Sequence, residues 1–129
     1  MKEPLSRYGT KQAMDELAIE LNLPNEDWMQ DWPFETVNSN DIDRYIEHYK
    51  IITDEDKKFV LMAAIIQAVS EQKISSDFEK KWNIIKPMLE IEFKLHEYTI
   101  HDWCCFETKN IEECWTITPN LRALWTSNN

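Results

Sequence analysis

The side chains whose types could do chemistry gather near the C-terminal end: His96, His101, Asp102, Cys104, Cys105 and Cys114. A thiol beside an imidazole and a carboxylate is the residue set of nucleophilic catalysis. His with Cys is the set that holds zinc. The spacing argues against both. There is no Cys-x-x-Cys, and His96 and His101, five apart, fall on different faces of a helix. A reactive thiol needs an electropositive, accessible setting, and Asp102-Trp103-Cys104-Cys105-Phe106 reads instead as core packing. An odd cysteine count with one adjacent pair is a poor disulfide framework; free thiols packed as small hydrophobes are the plainer reading. A small hydrolase or thiol-dependent enzyme using His96/His101 and Cys104/Cys105 stands as the alternative, and it requires a pocket that joins them. No metal or cofactor is expected.

Carboxylates are the other chemically capable groups. Asp27/Asp31 and Asp43/Glu47 are spaced i,i+4. A glycosidase pair would also need a lined cleft, so solvated helix faces are the simpler reading. The single glycine excludes a Gly-rich phosphate loop. Lys57/Lys58 and Lys80/Lys81 are flanked by acids and form no nucleic-acid patch.

The acids are unevenly placed. Between Gln12 and Tyr49 stand Asp15, Glu16, Glu20, Glu26, Asp27, Asp31, Glu35, Asp41, Asp43 and Glu47 against one cation, Arg44. That window carries −9 of the formal −10. Gathered on one face, these groups form a negative field that favours a basic partner and disfavours nucleic acid and anionic membranes. Exposed Trp28, Trp32, Phe34 or Tyr45 would add aromatic anchors to the steering charge. Glu26, Asp27, Trp28, Asp31, Trp32, Glu35, Asp41 and Asp43 are therefore the expected partner-binding residues.

The elements that must position these groups are mainly helices. The chain has 129 residues, 43% hydrophobic, with six Trp, five Phe and four Tyr. That suits a single domain with a real core rather than a disordered chain. One glycine suits long helices with short links better than a barrel or sandwich. Residues 1–9 read as a flexible tail and 10–50 as an acidic helix-loop-helix. Thr10 caps a helix over Lys11–Leu21, with Met14, Leu17, Ala18 and Leu21 as its stripe. Trp32-Pro33-Phe34 reads as an anchored loop. Asn40 or Asp41 caps a helix to about Tyr49, with Ile42, Tyr45, Ile46 and Tyr49 inward.

Core helices occupy 53–97. Thr53-Asp54-Glu55-Asp56 resembles a capping box and opens a central helix, about Asp54–Gln72, apolar around more than half its circumference. Ser76-Asp77-Phe78-Glu79 opens another, with Phe78, Trp82, Ile85 and Leu89 as its stripe; Pro87 predicts a kink or break. Over 98–118, β-branched and aromatic residues predict a short hairpin, with a helix Thr99–Phe106 as the alternative. Thr118-Pro119 starts a last helix that docks through Leu121, Leu124 and Trp125, and Arg122 locks it through an acidic group or holds an anion. The expected fold is mainly α, five or six helices in one multi-helix domain. The longest apolar run, Phe59–Ile66, falls short of the ~20 residues that span a membrane. No signal peptide is evident, so a cytoplasmic location is expected.

From about Trp32 to Trp125 the chain resembles small acidic bacterial proteins of the toxin-immunity type. The resemblance rests on Trp32-Pro33-Phe34, Phe59-Val60-Leu61-Met62, His96…Thr99-Ile100…Trp103, and Trp115…Ile117-Thr118-Pro119…Leu121-Arg122. It implies a non-enzymatic immunity protein or inhibitor that occludes a basic, nuclease-like toxin domain, and carries no site residue with it. A structural or adaptor protein, as a homodimer through exposed aromatics, is a third reading.

Overall fold

Thr10 accepts a hydrogen bond from the Ala13 amide at 3.1 Å and so opens α1 (Lys11–Leu21) as its sequence predicts. Leu17, Ala18 and Leu21 are buried on one stripe, joined by Ala13 rather than Met14. Asn22 ends the helix in the left-handed region, returning its amide to the Ala18 and Ile19 carbonyls. The computed structural model describes residues 3–23 and 38–128; the anchored loop expected at Trp32-Pro33-Phe34 lies outside them.

The next element is a 3₁₀ turn, Ser39–Asp41, leading into α2 (Ile42–Ile51). The cap here is Asn38, whose side chain accepts from the Asn40 amide at 3.0 Å. Asp41 stands at the N-cap of α2 but makes no side-chain cap bond. Ile42, Tyr45, Ile46 and Tyr49 are buried as expected, and the Tyr45 hydroxyl accepts from the Asn38 amide. In α3 (Glu55–Ser70) the cap is Asp54, one residue later than a Thr53 box: its carboxylate accepts from the Lys57 amide at 2.9 Å. Ten of the sixteen α3 residues are buried, from Phe59 to Val69, around the whole circumference. A helix apolar all round belongs in an interior.

Gly9 is the one place where a missing Cβ matters. A Cβ there would sit 2.9 Å from Val60 Cγ2, so the chain entering α1 passes α3 at a distance that only glycine permits.

Helix α4 (Ser75–Ile91) buries the predicted Phe78, Trp82, Ile85 and Leu89. It starts at Ile74 without a side-chain cap bond, so the Ser76 box does not form. Pro87 does not break it. The proline is exposed, so the Asn83 carbonyl that loses its partner lies on a surface where water replaces the bond. The break comes at Glu92 (φ −113°, ψ 38°), a one-residue joint to α5 (Phe93–Cys104).

No hairpin forms at 98–118. Residues 93–104 are one helix, and Ile111–Glu113 is a 3₁₀ turn capped by Asn110. Phe93, His96, Thr99, Ile100 and Trp103 are all buried in α5. Their spacing of 3, 3, 1 and 3 is helical, and burial of that stripe overrides the extended preference of Thr99, Ile100 and Trp103. Helix α6 (Thr118–Ser127) buries Thr118, Leu121, Leu124 and Trp125. Its Thr118 hydroxyl, expected as a cap, donates instead to the Trp103 carbonyl at 2.8 Å in a buried setting.

The described chain is thus all-α, six α-helices and two 3₁₀ turns, with no strand among the described residues. It forms two compact units. One spans Tyr8–Val69; the other runs from Ser70 onward and includes the N-terminal residues through Arg7. No helix among the described residues is long and apolar enough to cross a membrane.

Candidate functional site

Of the expected partner-binding residues, the structure places Asp41 and Asp43. Asp41 closes the 3₁₀ turn, half-buried; Asp43 lies exposed in the first turn of α2, where a carboxylate suits the positive end of the helix dipole. Glu26, Asp27, Trp28, Asp31, Trp32 and Glu35 lie outside the described residues.

The described carboxylates of the acidic window are largely answered by cations. Asp15 pairs with Lys11 at 3.2 Å and Glu47 with Lys50 at 3.2 Å. Lys57, from the first turn of α3, reaches back to α1 and holds both Glu16 (3.0 Å) and Glu20 (2.6 Å). His48 of α2 approaches the other Glu20 oxygen at 2.7 Å. The Lys57 hydrogen bond holds the Glu20 carboxyl below its ordinary range against the opposing effect of burial, and His48 adds to it. Glu20, then Glu16, hold the Lys57 ammonium above its own. The field of this window is therefore weaker than a residue count implies. Lys11 and Lys50 stand just outside its ends, and Lys57 arrives from a helix that the window does not contain.

Beside this network lies a shallow groove of about 380 Å³, lined by Glu20, Leu21, Arg44, Glu47, His48 and Ile51. Ile51 is 73% exposed, and Ile19, next to Glu20 on α1, is 81% exposed. Charged and large apolar groups thus alternate over the outer turns of α1 and α2. The Glu16/Glu20/Lys57/His48 cluster is absent from the expected set. Its only sequence signal is the i,i+4 spacing of Glu16 and Glu20, which does not name a partner on α3.

The second group of chemically capable side chains lies between α5 and α6. Cys104 is wholly buried, and burial pushes its thiol up to about 12, with Arg122 pulling weakly the other way. It is a neutral, packed sulfur, as its apolar context predicts. His96 is wholly buried. His101 packs its ring against Trp125 (4.9 Å) and Phe106 (5.4 Å). Among the described residues no group of three or more His, Cys, Asp or Glu side chains is gathered as a metal ion would require.

Arg122 forms no ion pair with an acid among the described residues. Its Nε donates to the Cys104 carbonyl at 2.6 Å and its Nη2 to the Cys105 carbonyl at 2.8 Å, with the guanidinium 5.4 Å from the Phe106 ring centroid. A cation at the last carbonyls of α5 satisfies orphan acceptors and complements the negative end of the dipole. A second cavity, about 190 Å³, is lined by Leu5, Ser6 and Arg7 with Lys94, Leu95, Glu97 and Tyr98. Neither cavity includes a cysteine. No protein family, curated protein or solved structure matches this chain.

Proposed function

We propose that this is a non-enzymatic protein-binding protein, an immunity protein or inhibitor whose partner is a basic protein, a bacterial toxin domain by the resemblance described above. The observation that carries the reading is the concentration of acid: −9 of the formal −10 falls between Gln12 and Tyr49. In the sequence, Asp41 and Asp43 continue the acidic run begun by Glu26, Asp27, Asp31 and Glu35. The mechanism is occlusion. Acidic side chains enter the electropositive groove in which such a partner holds its substrate, and Trp28 or Trp32 anchors the contact. The alternation of Glu47, Ile51 and Ile19 with charged neighbours on α1 and α2 supports a binding surface rather than a reaction centre. For the enzyme reading, the neutral, sealed Cys104 offers no nucleophile.

The test is capture from a lysate of the organism that encodes the chain, with wild type and a Glu26→Lys/Asp27→Lys/Asp41→Lys/Asp43→Lys variant as baits. The expected result is a basic protein on the wild type only, released by salt, whose activity the wild-type chain inhibits. A captured protein that holds equally to both baits, with the same salt dependence, overturns the reading.

A further inference from the structure

The loop between α5 and α6 brings two of the three cysteines together by a series of specific turns. Cys105 ends α5 in the left-handed region (φ 56°, ψ 41°), a conformation disfavoured for a residue with a side chain. Its carbonyl then accepts from the Thr108 amide at 3.1 Å, and its thiol donates to Thr108 Oγ1 at 3.2 Å. Asn110 caps the 3₁₀ turn Ile111–Glu113, and the Cys114 amide closes that turn on the Ile111 carbonyl at 3.1 Å. The chain has by then doubled back. Cys114 Sγ lies 3.9 Å from the Cys105 carbonyl oxygen and 4.0 Å from the Asn110 carbonyl oxygen, which brings its thiol back beside Cys105. Arg122 pins the Cys105 carbonyl from α6, so the Cys105 end of the pair is held in place.

We infer that Cys105 and Cys114 are a redox-modifiable pair, oxidised to an intramolecular disulfide by a low-molecular-weight disulfide such as oxidised glutathione. The exposures assign the order of events. Cys114 is half-exposed, whereas Cys105 is only 6% exposed and so less open to a solution oxidant. The Cys114 thiolate attacks one sulfur of the small disulfide. A protein–glutathione S–S bond forms, and the first glutathione leaves as a thiolate that takes up the proton Cys114 lost. The Cys105 thiolate then attacks Cys114 Sγ, forms the Cys105–Cys114 bond and expels the second glutathione, which takes up the Cys105 proton. Two protein thiols are oxidised by two electrons and one small disulfide is reduced to two thiols.

Cys104 does not compete. It is the last residue of α5, wholly buried, and its thiol stays protonated. The Cys114 thiol is itself held above its ordinary range, chiefly by the neighbouring Cys105 side chain, while Arg122 acts in the opposite direction. The pair is therefore a slow, equilibrium-poised couple rather than a fast peroxide sensor. Oxidation closes a ring over residues 105–114 and fixes the stretch that carries Phe106 (41% exposed) next to the half-exposed Trp115.

The test uses the full chain, reduced, then equilibrated without denaturant in glutathione redox buffers, acid-quenched, alkylated and digested with trypsin. Lys109 lies between the two cysteines, so the disulfide joins two tryptic peptides, and fragmentation distinguishes Cys105 from Cys104. The expected product is the Cys105–Cys114 cross-link, with the unfolding equilibrium constant lowered about 100-fold by the closed ring. Reductant should reverse both effects. Cys114→Ser, at a half-exposed position, should retain the reduced helical content and show neither the cross-link nor the stabilisation. An equilibrium product that is a lasting glutathione adduct on Cys114, a Cys114-linked dimer, or a bond to Cys104 overturns the assignment. So does a cross-link that forms only when the protein is unfolded.

Discussion

Replacing Arg122 tests the view that one side chain fastens the end of α5 to α6. Its guanidinium makes two hydrogen bonds, at 2.6 and 2.8 Å, to the Cys104 and Cys105 carbonyls. A hydrogen bond to a charged group contributes about 1.5–3 kcal/mol. The site is half-buried, which places each bond near the lower end of that range. A cation at a helix C-terminus adds about 0.3–1 kcal/mol. Arg122→Met removes all of these, with the Cys105 carbonyl keeping the Thr108 amide, for a loss of about 3–4 kcal/mol. Arg122→Lys keeps the charge but not the fork, and should lose about 1–2 kcal/mol. The assay is urea denaturation at neutral pH under reducing conditions, with hydrogen exchange read at the amides of 100–106. The reasoning fails if lysine is as good as arginine, because the two-pronged geometry would then contribute nothing. It fails equally if the methionine variant loses under about 1 kcal/mol, or if protection is lost everywhere except around Cys104 and Cys105.

Gly9→Ala places a Cβ 2.9 Å from Val60 Cγ2, and Val60 is buried; the expected loss is about 1–3 kcal/mol by chemical denaturation. Thr118→Val removes the hydroxyl that donates to the Trp103 carbonyl in a buried setting, with an expected loss of about 1–3 kcal/mol. Lys57→Met should cost about 1 kcal/mol in low salt and much less in high salt, because the network it joins lies at the surface. Glu20 sets the sign of the acid dependence. Its folded pKa lies below the ordinary value of 4.5, so its contribution is complete above that value and disappears as pH falls through the folded one. Wild type and Lys57→Met should therefore converge in stability on acidification, measured as denaturation midpoints across the acid range. In native protein at mildly alkaline pH, alkylation should mark Cys114 first and Cys104 last, since the Cys104 thiol titrates at about 12.

The helices that a local pattern can specify are those the sequence declares. Thr10 caps α1, the stripes of α2 and α4 are as spaced, and α3 is apolar on all sides. Each is decided by neighbours within a few positions. Where the deciding partner is remote, local reading falls short. Thr99, Ile100 and Trp103 favour extended backbone by type, yet they complete a helical stripe once His96 counts as an inward position. Thr118 reads as a cap because its alternative acceptor, the Trp103 carbonyl, is fifteen positions away. Arg122 reads as half of an ion pair because no residue type advertises the carbonyls of a helix end. The acids of the candidate surface were legible as types and not as a field. Lys57 pairs with Glu16 and Glu20 only because α3 passes α1, and sequence spacing does not encode that crossing. Cys105 and Cys114 are a similar case, since their meeting depends on a left-handed residue and a 3₁₀ turn.

The indoles of Trp103 and Trp115 lie with ring centroids 4.6 Å apart and planes inclined at 53°. Two identical chromophores that near and that skewed share their electronic transitions, so the pair should produce a couplet in the far-ultraviolet dichroism spectrum beside the helical bands. Trp115 sits next to Cys114 and Trp103 sits next to Cys104. The molecule thus carries its own label-free optical gauge of whether the segment joining its last two helices is seated, readable in dilute solution without introducing a dye.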